Sequence, residues 1–126
     1  MQDKTNILED AVKSALSHLG EIRRIGDLEI DPSQTPAGIW VSVKSEEPVC
    51  NRQRLTVTFY VRTHADSDPE RKRIDALSSA LVQAASVMKF ENIPDAAILP
   101  VSGGDYSMED DFHVQTFNQI IHIREV

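Results

Sequence analysis

Residues 55–86, LTVTFYVRTHADSDPERKRIDALSSALVQAAS, contain the two patterns that decide the fold. From Leu55 to Val61 apolar and polar side chains alternate, and this period of two predicts a half-buried antiparallel strand. In the second part apolar residues recur every three to four positions, which predicts a helix with one buried face. A strand followed by an amphipathic helix is typical of a sheet with helices packed on it.

The start of this helix has a signature of its own. Ser67 and Glu70 have the spacing of a capping box, and Pro69 suits a first turn because an N–H there has no intrahelical partner. The sequence therefore predicts a helix that begins within Ser67 to Glu70. Its expected buried stripe is Ile74, Leu77, Leu81, Ala84 or Ala85, and Met88.

Towards the N-terminus, the sequence predicts a first helix, a weak strand, a loop and a hairpin. Apolar residues at helical spacing from Thr5 to Leu19 predict the helix, and Gly20 supplies its left-handed end. Residues 21–30 indicate a weak strand, and 31–38 are rich in turn formers. Alternation over 39–43 predicts a strand that pairs with 55–61 across the polar linker 45–53.

Towards the C-terminus, residues 96–101 predict a short edge strand interrupted by Pro100. The segment 102–111, SGGDYSMEDD, is expected to be a flexible acidic loop. In the last strand Phe112 and Val114 have one phase, and the apolar residues from Phe117 onward have the other. If both sets face the core, a bulge or twist is expected near Thr116.

These elements predict an α+β fold in a single domain, residues 1–126. We expect a two-layer sandwich: a mostly antiparallel or mixed sheet with two helices packed on one face, in the order α-β-β-β-α-β-β. A chain of 126 residues is long enough to bury one core without disulfides or metals.

The charge balance argues against one class of function. The formal net charge is -7, and phosphate neutralisation needs lysine or arginine at each contact, so no direct nucleic-acid binding is expected. The negative excess is concentrated near the C-terminus, because from Glu91 onward the only base is Arg124.

The sequence predicts a cytoplasmic location. The lone Cys50 has no partner for an internal disulfide, and residues 1–8 lack the basic and apolar regions of a signal peptide. No apolar run approaches the roughly eighteen residues that span a bilayer, so no membrane is expected among the partners.

The residues that could perform chemistry do not form a recognisable motif. The histidines His18, His64, His113 and His122 lack zinc-signature spacing, and Cys50 lies in a polar segment without a nucleophile elbow. The carboxylates of residues 105–111 do not follow the EF-hand pattern. We therefore expect neither an enzyme nor a bound metal or cofactor.

Charged and amphipathic side chains on predicted loops and turns are the candidates for protein contact. They lie in the hairpin linker, in the basic run at the start of the second helix and in the acidic segment before the last strand. The candidates are Glu46, Glu47, Arg52, Arg71, Lys72, Arg73, Asp105, Tyr106, Met108, Glu109, Asp110 and Asp111.

A family resemblance rests on the stretch 55–86 with its RxDALxxAL helix, the leading helix ILEDAVKSALSHL and the closing YSMEDDFHVQTFNQIIHI. Together they resemble the tail terminator, or tail-completion minor tail, proteins of long-tailed phages and prophages. The resemblance covers most of the chain as an order of elements and carries over no functional residue.

The resemblance implies a structural subunit that assembles as a homo-oligomeric ring, typically a hexamer, on the end of the tail tube. There it would stop tube growth and present the surface that joins the head. Its partners would be other tail or head-tail joining proteins. The location would be cytoplasmic during assembly and the virion tail afterwards. The opposite charges of residues 71–73 and 105–111 separately predict a head-to-tail contact in which the basic turn of one subunit meets the acidic loop of its neighbour.

Two alternatives remain open on the residues alone. The first is a cytoplasmic adaptor or regulatory module whose acidic contact loop binds a basic partner. The second is a small hydrolase or metal-dependent enzyme built from the carboxylates of 105–111 and a histidine, which would need a pocket and a shifted pKa.

Overall fold

The computed structural model describes residues 4–20, 22–25, 37–46, 52–90, 93 and 96–124. These residues form two helices and six strands, which confirms the predicted α+β class and the α-β-β-β-α-β-β order, with one additional strand after the second helix. The elements are α1 (Lys4–Ala15), β1 (Ile22–Arg24), β2 (Gly38–Ser45), β3 (Arg52–His64), α2 (Lys72–Ser86), β4 (Ala97–Ile98), β5 (Ser102–Glu109) and β6 (Phe112–Arg124).

The strands form one mixed sheet in the order β1-β2-β3-β6-β4, with β5 paired to β6 beside β4. The first strand is parallel to β2, and all other pairs are antiparallel. The centre of the sheet is the long pair β3 and β6, in which 52–64 face 112–124 without a break in register. The predicted pairing of β2 with β3 is confirmed, and the edge strand predicted over residues 96–101 is present as β4, with two residues.

Both helices pack on one face of the sheet, here called the helix face. Every second residue of β3 from Leu55 to Val61 is buried there, as the alternation predicts. The helices contribute the buried side chains that their periodicity predicts. After α1, a 3-10 turn at Ser17–Leu19 leads to Gly20, which has a φ of 122°. The core includes Leu8, Val12, Leu16, Phe59, Ile74, Leu81, Ala85, Phe117 and Ile121.

The prediction of a bulge near Thr116 is wrong for the pairing of β6 with β3, which is continuous there. Phe112 and Val114 alternate away from Phe117 because they face the other side of the sheet, here called the open face. Val114 is nonetheless buried, and its cross-strand neighbour Arg62 lies over the Trp40 ring on the same face. A continuous strand with two buried faces accounts for the phase change.

The prediction of a flexible acidic loop over residues 102–111 is also wrong, because residues 102–109 form β5. It joins β6 through a two-residue turn in which Asp110 takes a positive φ of 51°. The register shifts between Gly103 and Asp105, so the bulge lies on this strand. Gly103 and Gly104 have φ of 96° and 103°, a conformation that L side chains rarely adopt.

The predicted capping box is not what starts α2. Ser67 lies in a 3-10 turn and its hydroxyl donates to the carbonyl of His64. The helix starts later, at Lys72, and its first amides donate to the carboxylate of Asp68, from Arg73 N at 2.9 Å and from Ile74 N at 3.0 Å. A buried aspartate therefore satisfies the amides that a capping box would have served.

Candidate interaction surface

The strand β5 forms an exposed edge of the sheet. Within the described residues it pairs with β6 alone, and nearly all of its side chains are exposed. Register with β6 places Asp105 and Glu109 on the open face, and Tyr106 and Met108 on the helix face. Met108 is 54% exposed and Tyr106 36%. A long edge with exposed apolar side chains is a template for pairing with another strand.

The tight turn fixes which backbone groups of β5 are available for such pairing. A two-residue loop closes on a hydrogen-bonded pair, here Glu109 with Phe112. Hydrogen-bonded and non-hydrogen-bonded pairs alternate along an antiparallel ladder. Ser107 therefore also bonds to β6, whereas Tyr106 and Met108 direct their N–H and C=O groups towards the free edge.

The basic turn, residues Arg71–Arg73, lies against this strand. Arg71, the residue immediately before α2, has a left-handed backbone conformation (φ 63°, ψ 17°). Its guanidinium carbon lies 3.4 Å from the centre of the Tyr106 ring, a cation–π contact. The structure thus brings together two predicted contact residues that are 35 positions apart in the chain.

A buried histidine ties the same tyrosine to the start of α2. The Nε2 atom of His113 lies 2.8 Å from the carbonyl of Asp68, which can only accept, so Nε2 carries the proton. The Nδ1 atom of the same ring is hydrogen-bonded to the Tyr106 hydroxyl at 2.7 Å. These bonds fix the position of β5 relative to the basic turn.

Asp68 is the buried anchor of this network. Its carboxylate accepts the two helix amides and the Thr63 hydroxyl at 2.9 Å. Burial by itself raises the pKa of this carboxyl, but the hydrogen bonds from Arg73, Ile74 and Thr63, together with the nearby His113, outweigh it and leave the pKa below its usual value. The group is therefore held as a carboxylate.

The remaining basic and acidic candidates at this end are exposed. Lys72 forms an ion pair with Glu70 at 2.9 Å, and the side chain of Arg73 is exposed. Asp110 and Asp111 form the turn, where the carbonyl of Asp111 accepts from the Ala65 amide at 2.8 Å. This end of the molecule carries acids on the open face and turn, and the basic turn with Glu70 beside it on the helix face.

Glu109 is committed to the open-face cluster. It accepts a hydrogen bond from the Tyr60 hydroxyl at 2.5 Å. Burial raises the pKa of Tyr60, and the hydrogen bond and negative charge of Glu109 raise it further. Beside them the guanidinium of Arg62 lies between the rings of Trp40 and Phe112, at 4.7 Å and 4.2 Å from their centres.

At the opposite end of the sheet, β1 carries Arg23 and Arg24. Arg23 faces the open side, 5.9 Å from the centre of the Trp40 ring. Arg24 faces the helix side, where its Nε lies 2.6 Å from Glu9 of α1. The neighbouring Asp10 is 3.9 Å from Arg24 and its side chain is 69% exposed. This end therefore has a base on the open face and, on the helix face, Arg24 together with Glu9 and Asp10.

The candidates of the β2–β3 hairpin lie away from both ends. Glu46 pairs with Arg54 at 2.9 Å and accepts from the Thr56 hydroxyl at 3.1 Å. Arg52 is exposed at the start of β3. Glu47 and Cys50 lie outside the described residues.

An apolar pocket of about 640 Å³ lies at the C-terminal end of α2. Its lining includes Val87, which is 76% exposed, with Met88, Phe90 and Ile98. Among the described residues, no three His, Cys, Asp or Glu side chains converge as a metal site would require. No described helix is long and apolar enough to cross a membrane.

Sequence reasoning missed Asp68 and His113 because their roles depend on contacts between distant elements. A buried aspartate just before a helix is a familiar cap, so Asp68 could have been found from SDPE. His113 offered no comparable signal, since its partners Tyr106 and Asp68 lie on β5 and before α2.

Comparisons with known proteins show the fold alone. No family model matches this chain, and no curated protein matches it. A solved structure with 12% sequence identity superposes with a TM-score of 0.65 and covers 99% of this chain and 99% of its own. The whole chain therefore has the architecture of a known solved protein.

Proposed function

We propose that this protein is a non-enzymatic structural subunit that assembles as a ring on the end of a phage tail tube. In this role it stops tube growth and forms the surface that joins the head. The proposal combines the resemblance of residues 7–19, 55–86 and 106–123 with the surface of the folded chain. Its mechanism is binding without turnover.

The observation that supports the proposal is the distribution of edges and charge. The sheet has β1 at one end and β5 at the other, and each pairs on one side only within the described residues. Open edges at opposite ends suit a head-to-tail contact, which closes into a ring when the rotation between copies divides a full turn.

Two measurements test the proposal with the purified full-length chain. Light scattering after size exclusion should give a homo-oligomer, and negative-stain microscopy should show closed rings. Addition of these rings to growing tail tubes should arrest the tubes at a uniform length.

A monomer at all concentrations, with capture of a basic partner protein, would instead support the adaptor alternative. The acidic strand β5 is the surface that such a partner would bind. Rings that leave tube growth unchanged would contradict the tail function while retaining the oligomer.

A further inference from the structure

We infer that the β5 edge of one copy pairs with the β1 edge of a second copy, so that the sheet continues from subunit to subunit. This inference rests on the proposed ring and names the contact that builds it. The occupant of the β5 edge is thus a second copy of this chain.

Strand direction is the first argument. Starting from β1, the chain direction is kept at β2 and then reverses at β3, at β6 and again at β5. The two end strands therefore run in opposite directions. When a rotation about a ring axis places a second copy beside the first, β1 of the second copy runs antiparallel to β5 of the first. In an antiparallel pair the hydrogen bonds are perpendicular to the strands.

The available backbone groups are the second argument. Tyr106 and Met108 direct their N–H and C=O groups to the free edge, because the tight turn commits Ser107 and Glu109 to β6. Tyr106 and Met108, with Ser107 between them, span three residues, which is the length of β1.

Charge on the open face is the third argument. Asp105 lies at the β5 end and Arg23 at the β1 end, in the row that joins them through Trp40, Tyr60 and Thr116. On the helix face both ends carry mixed charge, because Lys72 of the basic turn pairs with Glu70, and Arg24 pairs with Glu9 beside Asp10. A head-to-tail contact therefore opposes unlike charges on the open face.

A two-fold contact between two β5 edges lacks this complementarity. It would bring Asp105 and Glu109 of one copy towards the same acids of the other, and like charges directly opposite destabilise a sheet. The contact between Arg71 and Tyr106 also places the basic turn and the acidic strand at the same end of one subunit. The basic turn in a head-to-tail ring thus faces α1 of the neighbour and not its β5.

Backbone substitution tests the pairing. Met108→Pro removes one outward N–H, and we expect the dissociation constant of the oligomer to rise about tenfold per contact. Met108→Ala keeps that N–H and is the matched control, expected to assemble as the unchanged chain does. Circular dichroism and amide exchange of β6 verify that the proline variant is folded. Equal assembly of a folded Met108→Pro chain would overturn the inference.

Disulfide trapping identifies the occupant without depending on the proline variant. Asp105 and Arg23 both face the open side and lie in one row of the sheet, so they oppose each other when β1 of the neighbour pairs with β5. The double variant Asp105→Cys with Arg23→Cys, in a Cys50→Ser background, should form covalent ladders longer than two subunits under oxidation. Asp105→Cys alone and Met108→Cys alone should both stay uncrosslinked. Dimers from either single variant would indicate β5–β5 contact and overturn the inference.

The outcomes separate this contact from the ring itself. Rings in the unchanged chain with no ladder from the double variant would overturn the edge pairing and leave the proposed function standing. A monomeric unchanged chain would overturn both.

Discussion

Asp68 illustrates how one residue, through its carboxylate and its backbone carbonyl, can hold together a junction of three elements. It caps α2, accepts the hydroxyl of Thr63 on β3 and offers its carbonyl to His113 on β6. Through His113 it is linked to Tyr106 and hence to the β5 edge. The geometry of the exposed edge therefore depends on a buried residue.

Replacing Asp68 by alanine should destabilise the fold by about 2–3 kcal/mol, the loss of a cap together with a buried Thr63 hydroxyl left without its acceptor. Urea unfolding measures the effect. Ser67→Ala is the matched control, and we expect a change within about 0.5 kcal/mol because its exposed hydroxyl bonds only locally. A larger loss of unfolding free energy in Ser67→Ala would support a capping box at the start of α2.

Stability should also depend on the ionisation of Asp68. Its pKa in the folded chain is below the ordinary value of 3.8, so the carboxylate stabilises the fold above that value, and the contribution is lost as pH falls through the folded pKa. In Asp68→Asn this part of the acid destabilisation should be absent. Unfolding free energies of both chains, measured from neutral pH to below about pH 4, provide the comparison. Parallel curves would contradict the assignment.

Among the elements, β5 is the one whose structure and accessibility matter most. It is held by backbone bonds to β6 on one side and by the Arg71 and His113 contacts with Tyr106. Its other side remains available within the described residues. Both properties follow from its being an edge strand and not a loop.

Amide exchange along β5 should therefore alternate. In the dilute monomer, the N–H groups of Ser107 and Glu109 bond to β6 and should exchange at least roughly tenfold more slowly than those of Tyr106 and Met108. Residue-resolved exchange by NMR is the measurement, with the unbonded amides as internal controls. Uniformly fast exchange over 102–109 would mean a flexible loop.

At the scale of the whole molecule, the two ends of the sheet differ in charge. The open face is acidic at β5 and basic at β1. This arrangement favours association in one direction, which is what a ring requires. The net charge of -7 conceals it.

Assembly should weaken as salt rises, because charges across an exposed contact are screened beyond roughly 8 Å at physiological ionic strength. Arg73→Gln should reduce the salt dependence of the oligomer dissociation constant. Lys89→Gln removes one exposed positive charge beyond the other end of α2 and should leave that dependence unchanged. Light scattering over a series of salt concentrations tests this, and a salt-independent oligomer would argue against charge complementarity.

The strongly periodic segments could be predicted because their apolar spacing is local information. This was enough for α1, α2, β2 and β3. It failed for β5, where SGGDYSME has no apolar alternation and strand structure comes from the backbone of β6 beside it. It also failed for Phe112 and Val114, since alternation alone does not state how many faces of a strand are buried.

The candidate contact residues were found as types and not as an arrangement. Arg71 and Tyr106 could be selected from the sequence, but their stacking depends on a left-handed residue before α2 and on the register of β5. The proposed role of Arg23 was missed because it depends on the place of this residue at one end of the sheet.

The sequence by itself determined the α+β class, the two amphipathic helices and the central antiparallel strands, because hydrophobic periodicity is written in adjacent residues. Only the tertiary structure decided which strands became edges, which face each charge occupies and which backbone groups remain available. Those properties depend on strand order and register, and contacts between residues far apart in the chain set both.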